Sequence, residues 1–208
     1  MSIIGEPFIV MDSIITLPNE YDRAAYISSS VSSSSELEAN IDLGYIPSLK
    51  SKIWIKYMAA TVSSGSTWGW MLSCANFAGF NLQRKEDTQI LQLRSYDQHY
   101  KDIENGLATG LRTVYIDLQN RRYVGSGVIN ENVLIDEDDI MFDHLIVRVR
   151  SSFSPCEIKI FESGILSSHY VACRRKSDSV IGMYELKTGI FYTKNSGNGT
   201  LVFVPYVE

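Results

Sequence analysis

The stretch Ile53-Trp-Ile-Lys-Tyr-Met-Ala59 decides the fold class. Ile53, Ile55, Tyr57 and Ala59 fall on one side of an extended chain, and Trp54, Lys56 and Met58 on the other, because successive strand side chains point to opposite faces. This period of two, in a run rich in β-branched and aromatic residues, predicts a strand with one buried face. Leu145, Val147 and Val149 alternate with Ile146, Arg148 and Arg150 in the same way.

Similar alternation recurs in Trp68-Gly-Trp-Met-Leu-Ser-Cys74, Phe77-Ala-Gly-Phe-Asn-Leu82, Ile90-Leu-Gln-Leu93, Thr113-Val-Tyr-Ile-Asp-Leu118 and Cys156-Glu-Ile-Lys-Ile-Phe161. Turn signals punctuate it at Gln119-Asn120, Glu162-Ser-Gly164, Lys187-Thr-Gly189 and Asn195-Ser-Gly-Asn-Gly199. One segment carries a helical hint. Tyr96, Tyr100, Ile103 and Leu107 are spaced by four, three and four residues, so helix and irregular strand are both open there. About a dozen short strands with almost no helix imply an all-β fold of two antiparallel sheets packed face to face, since one flat sheet would leave a face and its edges bare.

The 208 residues, 45% hydrophobic and 21% charged, suit one globular domain. The net charge is -5 and the longest cationic run is Arg174-Arg175-Lys176, so the broad positive field that binds a phosphate backbone is missing and nucleic acid is not an expected partner. Cys74, Cys156 and Cys173 have no metal or redox spacing and read as reduced thiols rather than as a Cys156–Cys173 bridge. No segment reaches the roughly 18 apolar residues of a membrane span. The N-terminal run Met1-Ser-Ile-Ile-Gly-Glu-Pro-Phe-Ile-Val-Met11 lacks a basic start and does not read as a signal peptide, so folding in a cytoplasm is expected.

Residues 1–17 read as an extended N-terminal arm and 18–208 as the domain. Ser28-Ser-Ser-Val-Ser-Ser-Ser-Ser35 reads as a low-complexity surface loop outside the core.

The closing part of the chain runs Cys156-Glu-Ile-Lys-Ile-Phe-Glu-Ser-Gly164, Val171-Ala-Cys-Arg-Arg-Lys-Ser-Asp178, Val180-Ile-Gly-Met-Tyr-Glu185, and Gly189-Ile-Phe-Tyr-Thr193 through Asn198-Gly-Thr200. It resembles the closing segment of a concanavalin A-like, LamG-type jelly roll found in bacteriophage tail and fibre proteins. Leu17-Pro-Asn-Glu-Tyr21, Ala25-Tyr-Ile-Ser-Ser-Ser30 and Ile41-Asp-Leu-Gly-Tyr-Ile-Pro47 resemble that family's opening strands, with Val31 to Asn40 inserted where a short Thr-Gly turn is usual. The resemblance covers about residues 17 to 204. It implies a jelly-roll sandwich serving as a virion structural protein (adaptor, decoration or fibre-attachment subunit), assembled in the host cytoplasm and bound to other virion proteins through the arm. A homo-oligomer, such as a symmetric trimer, is the expected state.

Residue by residue, the closing motif reads as architecture. Gly182 and Gly189 permit tight turns, Ser177 and Asp178 cap one, and Met183, Tyr184, Phe191 and Tyr192 alternate across a hairpin. Arg174, Arg175 and Lys176 guard a strand edge or contact an acidic partner.

Catalysis has little to stand on. His99, His144 and His169 lie in separate segments without zinc-helix spacing, Gly-x-Ser-x-Gly does not occur, and Gly125-Ser-Gly127 reads as a bulge or turn. A glycoside hydrolase needs two carboxylates about 5 to 9 Å apart in a groove, and no matching acidic run is present. A non-enzymatic protein is expected. Asp136, Asp138, Asp139 and Asp143 could offer oxygen ligands to calcium, or form a solvated acidic loop. A lectin-like role recognising a bacterial surface glycan is the alternative function: Trp68, Trp70, Tyr96, His99 and Tyr100, near Asn76, Asn81, Gln83 and Asp97, can stack on and hydrogen-bond a sugar. The competing reading places Trp68 and Trp70, which share a strand face, in the core.

Overall fold

The computed structural model of the chain describes residues 15–30, 38–60, 68–75, 81–85, 90–94, 100–104, 109–120, 122–125, 128–130, 142–150 and 152–207. Among them every regular element is a strand. These are β1 (Tyr21–Ser29), β2 (Ala39–Asp42), β3 (Ser51–Ala59), β4 (Trp68–Cys74), β5 (Asn81–Lys85), β6 (Ile90–Arg94), β7 (Tyr100–Glu104) and β8 (Gly110–Asp117). They continue as β9 (Arg122–Gly125), β10 (Val128–Asn130), β11 (Leu145–Val149), β12 (Phe153–Glu162), β13 (Ile165–Arg175), β14 (Ile181–Glu185), β15 (Phe191–Ser196) and β16 (Leu201–Pro205). The helical hint resolves in favour of strand where it is described, because Tyr100–Glu104 pairs antiparallel with β6.

All pairing is antiparallel, in the order β10-β9-β8-β3-β12-β13-β14-β15-β2-β11-β4-β5-β6-β7. The path curls at β15. Gly182, Met183 and Tyr184 of β14 pair with its first half, while its second half switches to β2, with Lys194 opposite Ile41. Curling places the inner faces of both halves on one apolar cluster: Ile53, Ile55, Tyr57, Ile158 and Ile160 meet Ile41, Leu72, Leu82 and Val147. β1 threads this arrangement, pairing with β13 over Tyr21 to Arg23 and with β16 from Ala24 onward, and its Ala24 and Ile27 enter the same core.

The inward set Ile53, Ile55, Tyr57 and Ala59 is buried as its alternation requires. One-sided burial is incomplete there, since Trp54 on the other face is buried too, and it fails elsewhere. Ile146 and Arg148 of β11, and Glu157 and Lys159 of β12, are buried on the face opposite the apolar cluster. Polar side chains tolerate that position because they satisfy one another there. The serine tract also differs from its reading as a loop: Ser28 and Ser29 extend β1 opposite Val202 and Leu201, Ser29 is buried, and the Ser30 N–H donates to the Thr200 carbonyl at 2.8 Å. A ladder needs only backbone groups, so low side-chain hydrophobicity did not stop the strand. The rest of the tract, and most of the expected arm, lie outside the described residues.

The hairpin alternation holds, with Met183 opposite Tyr192 and Tyr184 opposite Phe191. Gly189 sits in its turn at φ 75°. Gly182 does something other than turn. It lies inside β14, where a Cβ would run into the Tyr192 carbonyl oxygen and the Phe191 ring, so it is required by the closeness of β15.

Candidate functional site: the amide row and the arginine–aromatic end

Across β5, β6 and β7 the register sets Gln83 opposite Gln92 and Gln92 opposite Asp102. Their side chains form a relay: Gln83 Nε2 donates to Gln92 Oε1 at 2.5 Å, and Gln92 Nε2 donates to Asp102 Oδ1 at 2.7 Å. Neighbouring Leu82, Leu91 and Leu93 belong to the apolar core, so the relay occupies the other face. It runs from Gln83, 3% exposed, out to the solvent-exposed Asp102, and Gln83 Oε1 is left without a partner. The face continues across β4 and β11. Arg148 Nε donates to Ser73 Oγ at 2.9 Å and its Nη1 to Glu38 Oε1 at 2.5 Å, while Arg150 Nη2 holds the other oxygen of Glu38 at 2.7 Å.

Of the expected glycan-binding residues, Trp70 falls opposite Gln83, Trp68 opposite Lys85 and Tyr100 opposite Arg94 in register. Leu72 lies opposite Leu82, with a shift of register between it and Trp70. Tyr96 and His99 lie outside the described residues. So do Asp136, Asp138 and Asp139 of the expected calcium loop; Asp143 is described, and its Oδ1 accepts the His144 backbone N–H at 2.8 Å. Among the described residues no group of three or more His, Cys, Asp or Glu side chains is placed to hold a metal ion.

The cationic run lies at the end of β13, an interior strand of the sheet that is paired on both sides: Arg174 stands opposite Asp22 of β1 and Ile181 of β14. These residues therefore guard no edge. Arg174 Nη2 donates to Asp22 Oδ2 at 2.8 Å, Arg175 forks onto Asp178 at 3.1 and 2.6 Å, and Lys176 Nζ donates to the Asn19 carbonyl at 2.6 Å. The Arg174 guanidinium holds the Asp22 carboxyl below its ordinary range, and Arg175 does the same for Asp178. Aromatic rings complete this end. Arg174 lies 4.4 Å from the Phe203 ring centre, Arg23 4.2 Å from that of Tyr206, and Tyr21 stacks on Tyr184 and Phe191 at 4.7 and 5.1 Å. The acidic groups that these cations meet are the chain's own. Asp178 also caps its turn as expected, accepting the Val180 N–H at 3.2 Å.

Two carboxylate networks escaped the sequence reading. Glu157 Oε1 lies 2.7 Å from His169 Nε2 and 2.8 Å from Lys159 Nζ, and Lys159 in turn covers the Trp54 ring at 4.7 Å. All three ionisable side chains are 7% exposed or less. Burial raises the Glu157 pKa, but the hydrogen bonds and charges of His169 and Lys159 outweigh it and the net shift is downward. Beside them, Glu185 accepts the N–H groups of His169, Lys187 and Thr188. The second network is Glu162, which receives the hydroxyls of Tyr45 at 2.9 Å, Ser48 at 2.8 Å and Ser51; burial and this carboxylate push the Tyr45 phenol up to about 12. Alternation sets Glu157 and Lys159 of β12 on one face but gives no cue to His169 of β13, nor to the meeting of Glu162 with Tyr45, Ser48 and Ser51, which lie far from it in the sequence. The three cysteines are buried and form no disulfide, as read, and burial pushes the Cys156 and Cys173 thiols up to about 12.

Comparison with protein-family models, curated proteins and solved structures gives no match for the chain.

Proposed function

We propose that the chain is a non-enzymatic virion structural protein of a bacteriophage, an adaptor, decoration or fibre-attachment subunit. In this reading a two-sheet, concanavalin A-like jelly roll is the rigid module and residues 1–17 are the arm that docks on neighbouring virion proteins. The observation that carries it is the position of the segments bearing the resemblance. Residues 156–164, 171–178, 180–185 and 189–193 fall in the adjacent strands β12, β13, β14 and β15, and 41–47 begins in β2, the next strand along the path. The described ionisable clusters support a structural role, since Glu157, Lys159, His169, Arg174 and Arg175 are engaged by groups of the same chain. Mass spectrometry of purified particles should find the chain in stoichiometric amounts; its absence from them would sink the proposal.

Glycan recognition is the second reading, favoured by one observation: the amide relay ends at an exposed carboxylate, carries an unpartnered Gln83 oxygen, and shares its ladder register with Trp70. Amides and carboxylates hydrogen-bond sugar hydroxyls, and aromatic rings stack on pyranose faces. Calorimetry with a host capsular polysaccharide should then give a heat signal that Asp102→Ala weakens about tenfold or more, as expected for losing a hydrogen bond to a charged group. A signal unaltered by Asp102→Ala would place binding elsewhere, and no signal with any host polysaccharide would remove this reading.

A further inference from the structure

Among the described residues three strands pair on one side only: β10, β7 and β16. Unpaired edges invite another strand, and proteins blunt them by keeping them short or placing charge on them. β10 is three residues long, and β7 carries Lys101, Asp102 and Glu104 in five. β16 carries no charge, and its one safeguard is Pro205 at its end. Thr200-Leu-Val-Phe-Val-Pro-Tyr-Val207 contains no charged residue, and its Val202, Tyr206 and Val207 are 41%, 46% and 84% exposed. Leu201 and Phe203 of this strand pack against the buried cluster and stay partly buried, with Arg174 over the Phe203 ring.

We propose that the free edge of β16 pairs antiparallel with β16 of a second copy, joining two chains through one continuous sheet. An extended backbone is what an unpaired row of N–H and C=O groups accepts. A twofold axis sets the strand against itself, which costs no like-charge contact because the strand has no charges to oppose. Other strands of this chain are worse occupants: β7 would bring three charges to an apolar edge. Pro205 lacks an N–H, so the shared ladder is confined to Leu201–Val204, a small interface that predicts a reversible dimer with a Kd of order micromolar or weaker. This deepens the assembly reading above by naming a contact independent of the N-terminal arm.

Sedimentation velocity over about a hundredfold range of concentration reaching the millimolar tests it. The wild-type chain should pass from 23.4 kDa toward twice that mass as concentration rises. Val202→Lys and Val202→Glu, each placing like charges across the axis, should stay monomeric with an intact thermal transition, and their equimolar mixture should dimerise again. A wild-type chain monomeric throughout, or charged variants that dimerise as the wild type does, overturns the proposal. If a chain lacking residues 1–16 no longer dimerises, the contact belongs to the arm, and the β16 interface fails while the assembly reading stands.

Discussion

Glu157 has the most to lose from a single change, because its charge is balanced only by neighbours in the same dry space. Glu157→Gln keeps its shape but leaves Lys159, at 3% exposure, without its counter-ion. Breaking a buried pair in this way costs about 3–5 kcal/mol, which chemical denaturation should report. Arg175→Ala should change stability little, since its bond to Asp178 is solvent-screened. The carboxylates also set an acid limit. Glu157 and Glu185 have folded pKa values below their ordinary 4.5, so their contribution is fully present above that value and disappears as pH falls through the lowered ones. The melting temperature should therefore fall on acidification below about pH 4.5, and Glu185→Gln should flatten that dependence. Equal slopes in the two proteins would show that Glu185 is not among the groups responsible. None of this was legible beforehand, for alternation reports which residues face away from the core but not that Glu157 meets a histidine from the next strand.

At the scale of elements the sequence was most informative where apolar alternation was clean. The inward set of β3 and the β14–β15 hairpin follow their patterns, and the turns at Ser163-Gly164 and Gly189 stand where glycine marked them. Legibility failed where backbone pairing overrode side-chain character. Ser28 and Ser29 join a ladder, and at residues 100–104, where the spacing left helix and irregular strand both open, β6 decides for strand by supplying pairing partners from outside the local sequence. Gly182 belongs to this scale too. Gly182→Ala would drive a methyl group into the Tyr192 carbonyl and force β14 away from β15, so a loss of about 1–3 kcal/mol is expected by thermal or denaturant unfolding. An unchanged midpoint would show that the two strands separate without cost.

For the whole molecule, the curl at β15 is what gathers both halves of the sheet on one core, with β1 and β16 covering part of its rim. Under the proposed function, deleting residues 1–16 should leave the thermal transition nearly intact while abolishing docking on the proposed virion partners; a large drop in melting temperature would instead make the arm part of the core. The sequence by itself determined that the described part of the chain is built of strands and where many of them turn, because side-chain period and turn chemistry act within a few residues. Only the tertiary structure decided that Arg174, Arg175 and Lys176 meet the chain's own Asp22, Asp178 and Asn19, that Gln83, Gln92 and Asp102 form a relay, and that β16 keeps an uncharged edge. Apart from Arg175 and Asp178, which are three residues apart in one turn, those pairings join residues brought together by strand order and curl, which no local pattern of hydrophobicity records.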